Sequence, residues 1–546
     1  MNQENSDSKI CPICKRPTHK ESKYCIFHAS AEEKNEEEFK KTLKEYVDKT
    51  KKEDSDYHFE KFIFVGYINF KEVFDIEIFK KASFSEAIFE GIVNFSGIIF
   101  DGDTYFIGTI FKEKAFFTEV TFKGISVFIK TTFYGDANFT TTTFNGEADF
   151  KSTNFESFTR FQFVKFNGVA DFREATFKMN TKFNQASFMS KADFEDVKFN
   201  GHTTEFTRTT FGDDANFFVV KFKGNADFGE TIFNHDADFK EAYFENDVDF
   251  RFKHIFKSLN FSKIKTFPGK KIFIKLHNKE GIISFDRAYL ENTYLDIDLV
   301  GGVSIDFSDA LLQNTKIKRS QIENHILQEK EGQFSKALEI YLLLKNNFHS
   351  IGQYKDESWA YTKERDMERM SQSFCLFLNK YKKYSSFEKI LMKSNVLKRV
   401  IIKTKIFSKW LFSKKAFEWI HLAFSNFIYQ YGESPRRVIR FALIIISLCA
   451  FILNFSGIVN SDRTNMIIEF IKKSQGNEYT LRYLGATLGN FLDCLYFSVV
   501  TFTTLGYGDF QPLEGWSRFL VSSEALLGAF TMALFVYTFA RRTGGR

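Results

Sequence analysis

The sequence predicts a multidomain chain in which a β-solenoid precedes an α-helical transmembrane domain. A small metal-binding module is expected at the N-terminus, and a helical segment between the two large domains. Three observations predict this organisation. Phenylalanine accounts for 72 of the 546 residues and recurs at a regular spacing. Two long apolar stretches lie near the C-terminus, and three of the six cysteines lie close to a histidine near the N-terminus.

Length and composition limit the class of protein. A chain of 546 residues is long enough for three or four domains. Its 44% hydrophobic and 26% charged residues exclude wholesale disorder. Six cysteines are too few for a disulfide scaffold and are consistent with a reducing compartment. The N-terminus is polar and lacks the apolar core of a secretory signal peptide, so we expect none.

The first element is a zinc-binding module over residues 1–30. Two short Cys-x2-Cys and Cys-x2-His pairs are separated by ten residues, which is the spacing of a closed tetrahedral site. His19 is the alternative ligand. Redox use of the thiolates and nucleic-acid binding are the other interpretations, and the few basic residues nearby argue against nucleic acid. The four expected structural ligands are Cys11, Cys14, Cys25 and His28.

The segment 31–58 is dense in Glu and Lys and has few apolar positions. It predicts a solvated, charged helical linker.

The next element is the solenoid. From Phe84 to Phe250 the phenylalanines recur at alternating steps of five and six residues, with one slip before Phe206. On an α-helix a step of five rotates by about 140°, so the rings would form two separate stripes. The intervening Gly, Asn, Asp and Thr are also poor helix formers. The pattern therefore predicts short extended sides with inward-pointing phenylalanines.

Units such as Ala148-Asp149-Phe150 and Ala226-Asp227-Phe228 resemble those of pentapeptide-repeat proteins. The resemblance implies a right-handed, four-sided β-helix over about residues 59–320, with about 22 residues per coil. The regular run makes about seven coils, roughly 35 Å tall at ~4.8 Å per strand. The stretch 256–281 interrupts the pattern and predicts a loop or a bulged coil. The solenoid is either a purely structural post or a docking face for a cytoplasmic protein or ligand.

Two helical segments follow. Residues 321–375 carry apolar positions at helical spacing and resemble one tetratricopeptide-like hairpin, which is either a plain connector or a peptide-binding unit. Residues 376–435 predict basic amphipathic juxtamembrane helices. Over 376–440 there are fifteen Lys and Arg against three acidic residues, a net charge of about +12. Since this stretch precedes a membrane span, anionic lipid headgroups are the expected partner rather than nucleic acid.

The last element, residues 436–546, predicts a membrane domain. Residues 441–459 contain no charge and are long enough to cross the hydrocarbon core. A second apolar stretch, 519–540, contains one charge, Glu524. Arginines lie before the first span and after the second, so by the positive-inside rule both ends face the cytoplasm. This predicts a two-span protein of the cell membrane.

Between the spans, residues 491–502 are apolar but too short to span, which predicts a re-entrant helix. The backbone that follows would lie at membrane depth, which is tolerable only where it lines a cavity or coordinates ions. Glycines at 506 and 508 permit the dihedral angles that align successive carbonyls. Four such strands together can replace the hydration shell of K⁺.

The run Thr504-Leu505-Gly506-Tyr507-Gly508-Asp509 resembles the selectivity filter of two-transmembrane potassium channels. The resemblance implies a homotetramer that conducts K⁺, with Leu505 in place of the commoner valine. Asp509, Tyr496 and Thr503 are expected to support the filter, and Val500 replaces the glutamate that some members carry. Gly528 matches the family's hinge glycine. The implied ion-binding residues are Thr504, Leu505, Gly506, Tyr507 and Gly508.

Glu524 is either a packed helix carboxyl or part of the ion pathway. Cys375, Cys449 and Cys494 are expected to be packing residues. The sequence contains no Walker-type phosphate loop, nucleophile elbow or HExxH helix, so we expect no enzyme.

The predicted function is a K⁺-selective channel subunit of a prokaryotic cell, whose cytoplasmic solenoid serves as a regulatory or interaction scaffold. The alternative is a membrane-anchored interaction scaffold whose pore is silent or non-selective. A zinc- and repeat-based nucleic-acid regulator is the third interpretation.

Overall fold

In the computed structural model the chain divides into two compact units, Met1–Asp356 and Glu357–Arg546. The structure describes residues 10–74, 77–255, 258–382, 396–456, 458–460, 480–512 and 515–544. Residues 256–257 of the predicted interruption, 383–395 of the predicted basic stretch and 461–479 after the first span lie outside these ranges.

The described α-helices are numbered here in chain order. Helices α1–α6 span Glu36–Lys52, Phe70–Phe74, Arg319–Ile322, Leu327–Lys330, Phe334–Ser350 and Tyr354–Ser371. Helices α7–α12 span Phe374–Lys382, Val396–Leu411, Lys414–Tyr429, Pro435–Ser456, Thr480–Phe502 and Trp516–Gly544. Two 3₁₀ turns cover Ala31–Glu33 and Gln430–Gly432.

The first unit is a parallel β-solenoid of about eleven turns. Its short strands pair with the strand one coil away, so that Phe122 aligns with Phe144 and Phe144 with Phe166. This register confirms a solenoid with 22 residues in a regular coil. The slip before Phe206 is one extra residue. Thr181 aligns with Thr204, one residue beyond the regular spacing of 22, and the strand that contains Thr204 has three residues, Thr203–Glu205.

The short strands form four faces. The first face contains Tyr57–His58, Ala82–Ser83, Thr104–Tyr105, Ser126–Val127, Ala148–Asp149, Ala170–Asp171, Ala192–Asp193, Ala215–Asn216, Ala237–Asp238 and Ser258–Asn260. The second contains Ile63–Phe64, Ile88–Phe89, Ile110–Phe111, Thr132–Phe133, Asn154–Phe155, Thr176–Phe177, Lys198–Phe199, Lys221–Phe222, Tyr243–Phe244 and Lys265–Thr266. The third contains Ile68–Asn69, Val93–Asn94, Ala115–Phe116, Ala137–Asn138, Thr159–Arg160, Thr181–Lys182, Thr203–Glu205, Asn225–Asp227 and Val248–Arg251. The fourth contains Ile78–Phe79, Ile99–Phe100, Thr121–Phe122, Thr143–Phe144, Lys165–Phe166, Ser187–Phe188, Thr210–Phe211, Ile232–Phe233 and His254–Ile255.

The regular coils end in two long parallel strands, Lys271–Ser284 and Tyr294–Asp306, with a register shift between Asn278 and Glu280. These strands join the first and third faces, because Lys271–Ser284 pairs with the last strand of each. The predicted interruption at 256–281 is therefore largely extended strand in its described part.

Stacked phenylalanine rings fill the solenoid. The centroids of Phe128 and Phe150 are 4.7 Å apart with planes within 4°, and those of Phe150 and Phe172 are 4.8 Å apart within 2°. Buried threonines complete the core, since the hydroxyl of Thr131 donates to the carbonyl of Phe106 at 2.6 Å and Thr153 donates to Phe128 at 2.7 Å. Each of these carbonyls also accepts from the backbone amide three residues on, so the threonine hydroxyl supplies its second hydrogen bond.

Both ends of the solenoid are capped by helices. The segment predicted as a solvated, charged helical linker contains helix α1, but this helix buries Phe39, Leu43, Val47 and Thr50. Phe39 contacts Phe64 of the first coil edge to face at 6.0 Å, so this helix closes the N-terminal end. Charge dominates the composition of α1, and the few buried residues at helical spacing were not predicted.

At the other end, helix α5 lies against the last coil. The side-chain amide of Asn347 donates to the carbonyl of Thr315 at 2.9 Å and its oxygen accepts from the Thr315 amide at 2.9 Å. Helices α5 and α6 lie in the segment predicted as a helical hairpin, with Gly352 between them in a left-handed conformation. Helix α5 therefore caps the solenoid, and the hairpin packing of α5 with α6 stays a prediction.

Candidate functional site: a loop between two apolar helices

Two helices of the second unit are long and apolar enough to cross a membrane. The apolar windows are Pro435–Asn454 of α10, with mean hydropathy 2.0, and Trp516–Thr543 of α12, with mean hydropathy 1.8. Helix α10 starts with a proline at its first turn, which suits a helix N-terminus. Most of both helices is exposed in the single chain, as expected of surfaces that face lipid or other copies.

Helix α11 lies between them and ends at Phe502, the position at which the predicted re-entrant helix ends. Its apolar part, Phe491–Phe502, is too short to span a bilayer. Cys494 and Phe497 of α11 pack with Ala450 and Leu453 of α10. The helix is therefore held against the first span, with its C-terminus aimed into the loop that follows.

The loop after α11 has an alternating backbone. Thr504, Gly506 and Gly508 adopt positive φ angles of 56°, 56° and 79°. Only glycine adopts such angles without steric cost. The side chains of Leu505 and Tyr507 are 59% and 66% exposed. The five predicted ion-binding residues thus form one continuous loop whose backbone is not covered by the rest of the chain.

The predicted supporting residues lie beside this loop. The Tyr496 side chain has the Asp509 carboxylate as its hydrogen-bonding neighbour, and its ring contacts Phe510 at 6.0 Å. The Thr503 hydroxyl donates to the carbonyl of Val499 at 2.7 Å, and the Thr504 hydroxyl donates to that of Thr503 at 2.7 Å. The structure therefore brings Tyr496 and Asp509 together beside the loop, whereas the Thr503 hydroxyl bonds within the end of α11.

Helix α12 packs directly behind the end of α11. A Cβ atom added to Gly528 would lie 1.9 Å from the carbonyl oxygen of Phe502. Helix α12 runs without interruption through Gly528. The close approach of Phe502 explains why position 528 is a glycine. The role of Gly528 as a hinge stays a prediction.

Glu524 lies one turn before Gly528 and is 1% exposed. Its carboxyl accepts a hydrogen bond from Ser498 and lies beside Cys449. The Ser498 hydroxyl oxygen also lies 2.9 Å from the carbonyl oxygen of Ile446, so its single proton is shared between these two acceptors. Ser498 thus links all three helices, which supports the packed interpretation of Glu524. Sequence reasoning overlooked Ser498, although a polar residue in an apolar helix could have identified it.

A polar contact joins the base of both spans to helix α6. Arg541, near the end of α12, pairs with Glu433 at 3.2 Å and donates to the carbonyl of Tyr431 at 3.3 Å. Its guanidinium lies 4.5 Å from the ring centre of Tyr361 in α6. The start of α10 and the end of α12 therefore lie at the same end of the second unit.

Asp366 provides the second part of this contact. It accepts hydrogen bonds from the Tyr431 hydroxyl at 2.9 Å and from the Asn426 amide at 3.1 Å. Burial and the neighbouring carboxylate of Asp366 raise the pKa of Tyr431, so its hydroxyl stays protonated and can donate. We call the group Tyr361, Asp366, Tyr431, Glu433 and Arg541 the basal tie. Nothing in the local sequence predicts it, because its members are distant in the chain.

The four predicted zinc ligands cluster at the N-terminus. Their ligand atoms all lie within 4.8 Å of one another. The Nδ1 atom of His28 is 3.1 Å from the Cys25 sulfur, and the sulfurs of Cys14 and Cys25 are 3.4 Å apart. Zn–S bonds of ~2.3 Å in a tetrahedron require sulfurs roughly 3.8 Å apart, so the cluster fits zinc closely.

The surroundings of the cluster also suit a metal. The Nε2 of His28 lies 3.2 Å from the carbonyl of Glu60, a contact that leaves Nδ1 free to face the sulfurs. Burial lowers the pKa of His28, which favours the neutral ring that metals bind. His19, the alternative ligand, is not part of the cluster and lies 3.8 Å from Glu38. The three cysteines and His28 are therefore the better ligand set.

These features are typical of a chain that carries a two-span membrane domain C-terminal to a repeat domain. Residues 467–544 match the family model described as ion channel. Residues 84–129, 106–154 and 128–176 match the model described as pentapeptide repeats (9 copies). The chain therefore carries a two-transmembrane ion-channel domain at its C-terminus and pentapeptide repeats N-terminal to it. No curated protein and no solved structure matches the chain significantly.

Proposed function

We propose that the chain is a subunit of a homotetrameric, K⁺-selective channel. The loop Thr504–Gly508 carries this proposal: its glycines have left-handed backbones, it follows the re-entrant helix directly, and it lies between two spans. One loop offers too few oxygens to replace the hydration shell of K⁺, whereas four arranged around an axis offer enough. The exposed Leu505 and Tyr507 leave this loop accessible to further copies.

A flux assay on the purified full-length protein in liposomes tests this function. We expect K⁺ to pass in preference to Na⁺ and Ba²⁺ to block the flux. A membrane-anchored interaction scaffold with a silent or non-selective pore is the competing function, and it predicts no flux or equal flux of both cations.

The membrane orientation follows from the arginines at the base of the spans. We place both termini in the cytoplasm of a prokaryotic cell and the loop on the outer side. Helix α9 supports the placement, because its exposed apolar side chains lie along one face next to the first span. Such a helix suits the headgroup layer, with its lysines directed at anionic lipid. The apolar residues of this face are Phe417, Ile420, Phe424 and Phe427.

The N-terminal cluster is proposed as a structural zinc site. Four protein ligands leave no open position for chemistry, and a bound zinc would hold the module in its folded shape. The module contacts the first coil, where the rings of Phe27 and Phe62 stack at 4.5 Å. Zinc would therefore stabilise the N-terminal cap of the solenoid.

Cys25→Ser is expected to remove the metal. Elemental analysis of the purified wild-type protein should give about one zinc per chain, and the variant close to none, because a hydroxyl is a far weaker zinc ligand than a thiolate. Cys375→Ser is the matched control, since Cys375 is exposed and outside the cluster. Equal zinc in all three proteins would contradict the assignment.

We further propose that the basal tie transmits motion of the scaffold to the pore. Residues Tyr361 and Asp366 of helix α6 contact the base of both spans, and α6 follows helix α5 of the solenoid cap directly in the chain. The tie holds the end of the inner helix α12 against the start of the outer helix α10. Inner-helix ends held outward leave the cytoplasmic mouth open, so the tie favours the open state.

Tyr431→Phe is expected to lower the open probability of single channels by about five- to tenfold. The change removes the hydrogen bond to Asp366 without altering the ring, a loss on the order of 1 kcal/mol. Tyr429→Phe, two residues away on the juxtamembrane helix, is the control and should gate normally. An open probability that is unchanged or raised in Tyr431→Phe would refute the proposed direction of coupling.

A further inference from the structure

A cavity of about 420 Å³ lies at the C-terminal end of the solenoid, beside the turn between α5 and α6. Its size is within the range of small-molecule sites, which are mostly apolar with a few polar groups. The apolar part of its lining comes from the last coils and from Ile351 at the end of α5. Its polar lining residues are Lys271, Tyr294, Asp296, Lys316, Lys318, Gln321 and Gln353.

The charge of this cavity differs from that of the regular coils. There, many lysines pair with an acid one coil away, as Lys123 does with Asp101 at 2.6 Å and Lys178 with Glu156 at 2.6 Å. In the cavity the residue one coil before Lys316 is Tyr294, so Lys316 lacks the acidic partner that many lysines of the regular coils have. Asp247 lies one coil before Lys271, but its carboxylate accepts a hydrogen bond from the Lys271 backbone amide at 2.9 Å.

Among the described residues, Lys271, Lys316 and Lys318 form no ion pair. The Lys316 ammonium donates to the Tyr294 hydroxyl at 2.5 Å and lies 4.3 Å from its ring centre. Lys271 lies 5.9 Å from the same ring centre. The hydrogen bond from Lys316 and its charge lower the pKa of Tyr294, which reflects the positive potential.

The only carboxylate in the lining is Asp296, which accepts a hydrogen bond from Gln321. Three ammonium groups against one carboxylate leave a net charge of about +2 facing the cavity. Lysines act as point charges and suit phosphate, whereas bidentate recognition of carboxylates is typical of arginine. No arginine is among the residues that line the cavity.

We propose that this cavity binds a soluble organic phosphate, of the size of a nucleoside monophosphate. The phosphate lies among Lys271, Lys316 and Lys318, and the organic body lies on the apolar lining. Inorganic phosphate alone would leave most of the volume unfilled. The site is independent of conduction, but it adjoins the start of α6, the helix that carries Tyr361 and Asp366 of the basal tie.

Titration calorimetry on the purified full-length protein in detergent tests the site with four probes: AMP, adenosine, inorganic phosphate and a soluble short-chain phosphatidylglycerol. We expect AMP to bind, adenosine to bind at least about tenfold more weakly, and higher salt to weaken the AMP interaction. The double change Lys316→Gln and Lys318→Gln should weaken AMP binding by at least about tenfold.

Lys123→Gln is the matched control. It also removes the charge of a surface lysine of the solenoid, but this lysine is paired with Asp101 and lies outside the cavity. It should bind AMP as the wild type does. Size-exclusion chromatography checks that each variant is folded and assembled. The proposal is overturned if AMP does not bind, if only the phosphatidylglycerol binds, or if the double variant binds AMP as tightly as the wild type. Because the readout is heat of binding, its failure is distinct from a failure of conduction.

Discussion

Gly528→Ala is expected to abolish K⁺ flux and to reduce the amount of assembled protein. The added methyl group would lie 1.9 Å from the carbonyl oxygen of Phe502, and both partners are backbone atoms that cannot rotate away. Relieving the clash must displace the end of α11, two residues before the filter loop. Overpacking of this kind typically costs 1–3 kcal/mol in each subunit. Size-exclusion chromatography and liposome flux measure the two effects.

A second variant separates close packing from a hinge. Gly528→Ala combined with Ala529→Gly moves the flexible position by one residue, so a hinge would be largely restored and flux would recover. Close packing predicts no recovery, because the methyl group still meets Phe502. Ala529→Gly alone is the control; it costs the helix about 1 kcal/mol and introduces no clash. Recovery of flux in the double variant would contradict the packing account.

Gly506→Ala is expected to reduce K⁺ flux to that of protein-free liposomes while the protein still assembles. Gly506 has φ of 56°, a conformation that costs an L-residue roughly 1–2 kcal/mol. An alanine there favours a rotated peptide, which turns a carbonyl oxygen away from the ion path. Four subunits repeat the defect around one pore. Flux and elution volume, measured on the same preparation, test this expectation.

Gly515→Ala provides a closely matched control. Gly515 also has a positive φ, 83°, and a Cβ atom there meets nothing within 4 Å, as at Gly506. The backbone strain is therefore similar, but the residue lies outside the filter loop. We expect flux close to that of the wild type. If both alanine variants lost flux equally, the effect would come from strain in general rather than from the filter carbonyls.

The regular part of the fold was predictable because one local rule repeats. The phenylalanine steps of five and six add to 22 residues in two units, which is the register at which Phe122 meets Phe144. The caps were not predictable in the same way. Helix α1 buries only three or four residues among many charges, and Asn347 meets Thr315 across 32 residues of sequence. Such contacts depend on where the solenoid ends, which no local pattern encodes.

The same distinction applies to the candidate sites. The filter loop and the zinc ligands are short motifs, so spacing alone indicates which residues lie together. The basal tie joins Asp366 to Tyr431, and Tyr431 to Arg541, over 65 and 110 residues. Lys271 lies two coils before Lys316 and Lys318, and the intervening coil contributes Tyr294 to the cavity. Each becomes visible only when the fold brings separate segments into contact.

The reversal potential of the full-length protein in a planar bilayer, with K⁺ on one side and an equal concentration of Na⁺ on the other, tests the central claim most directly. A K⁺-selective pore built from four Thr504–Gly508 loops predicts a reversal potential displaced strongly towards that of K⁺. A reversal potential near zero, or no current that Ba²⁺ blocks, would contradict it.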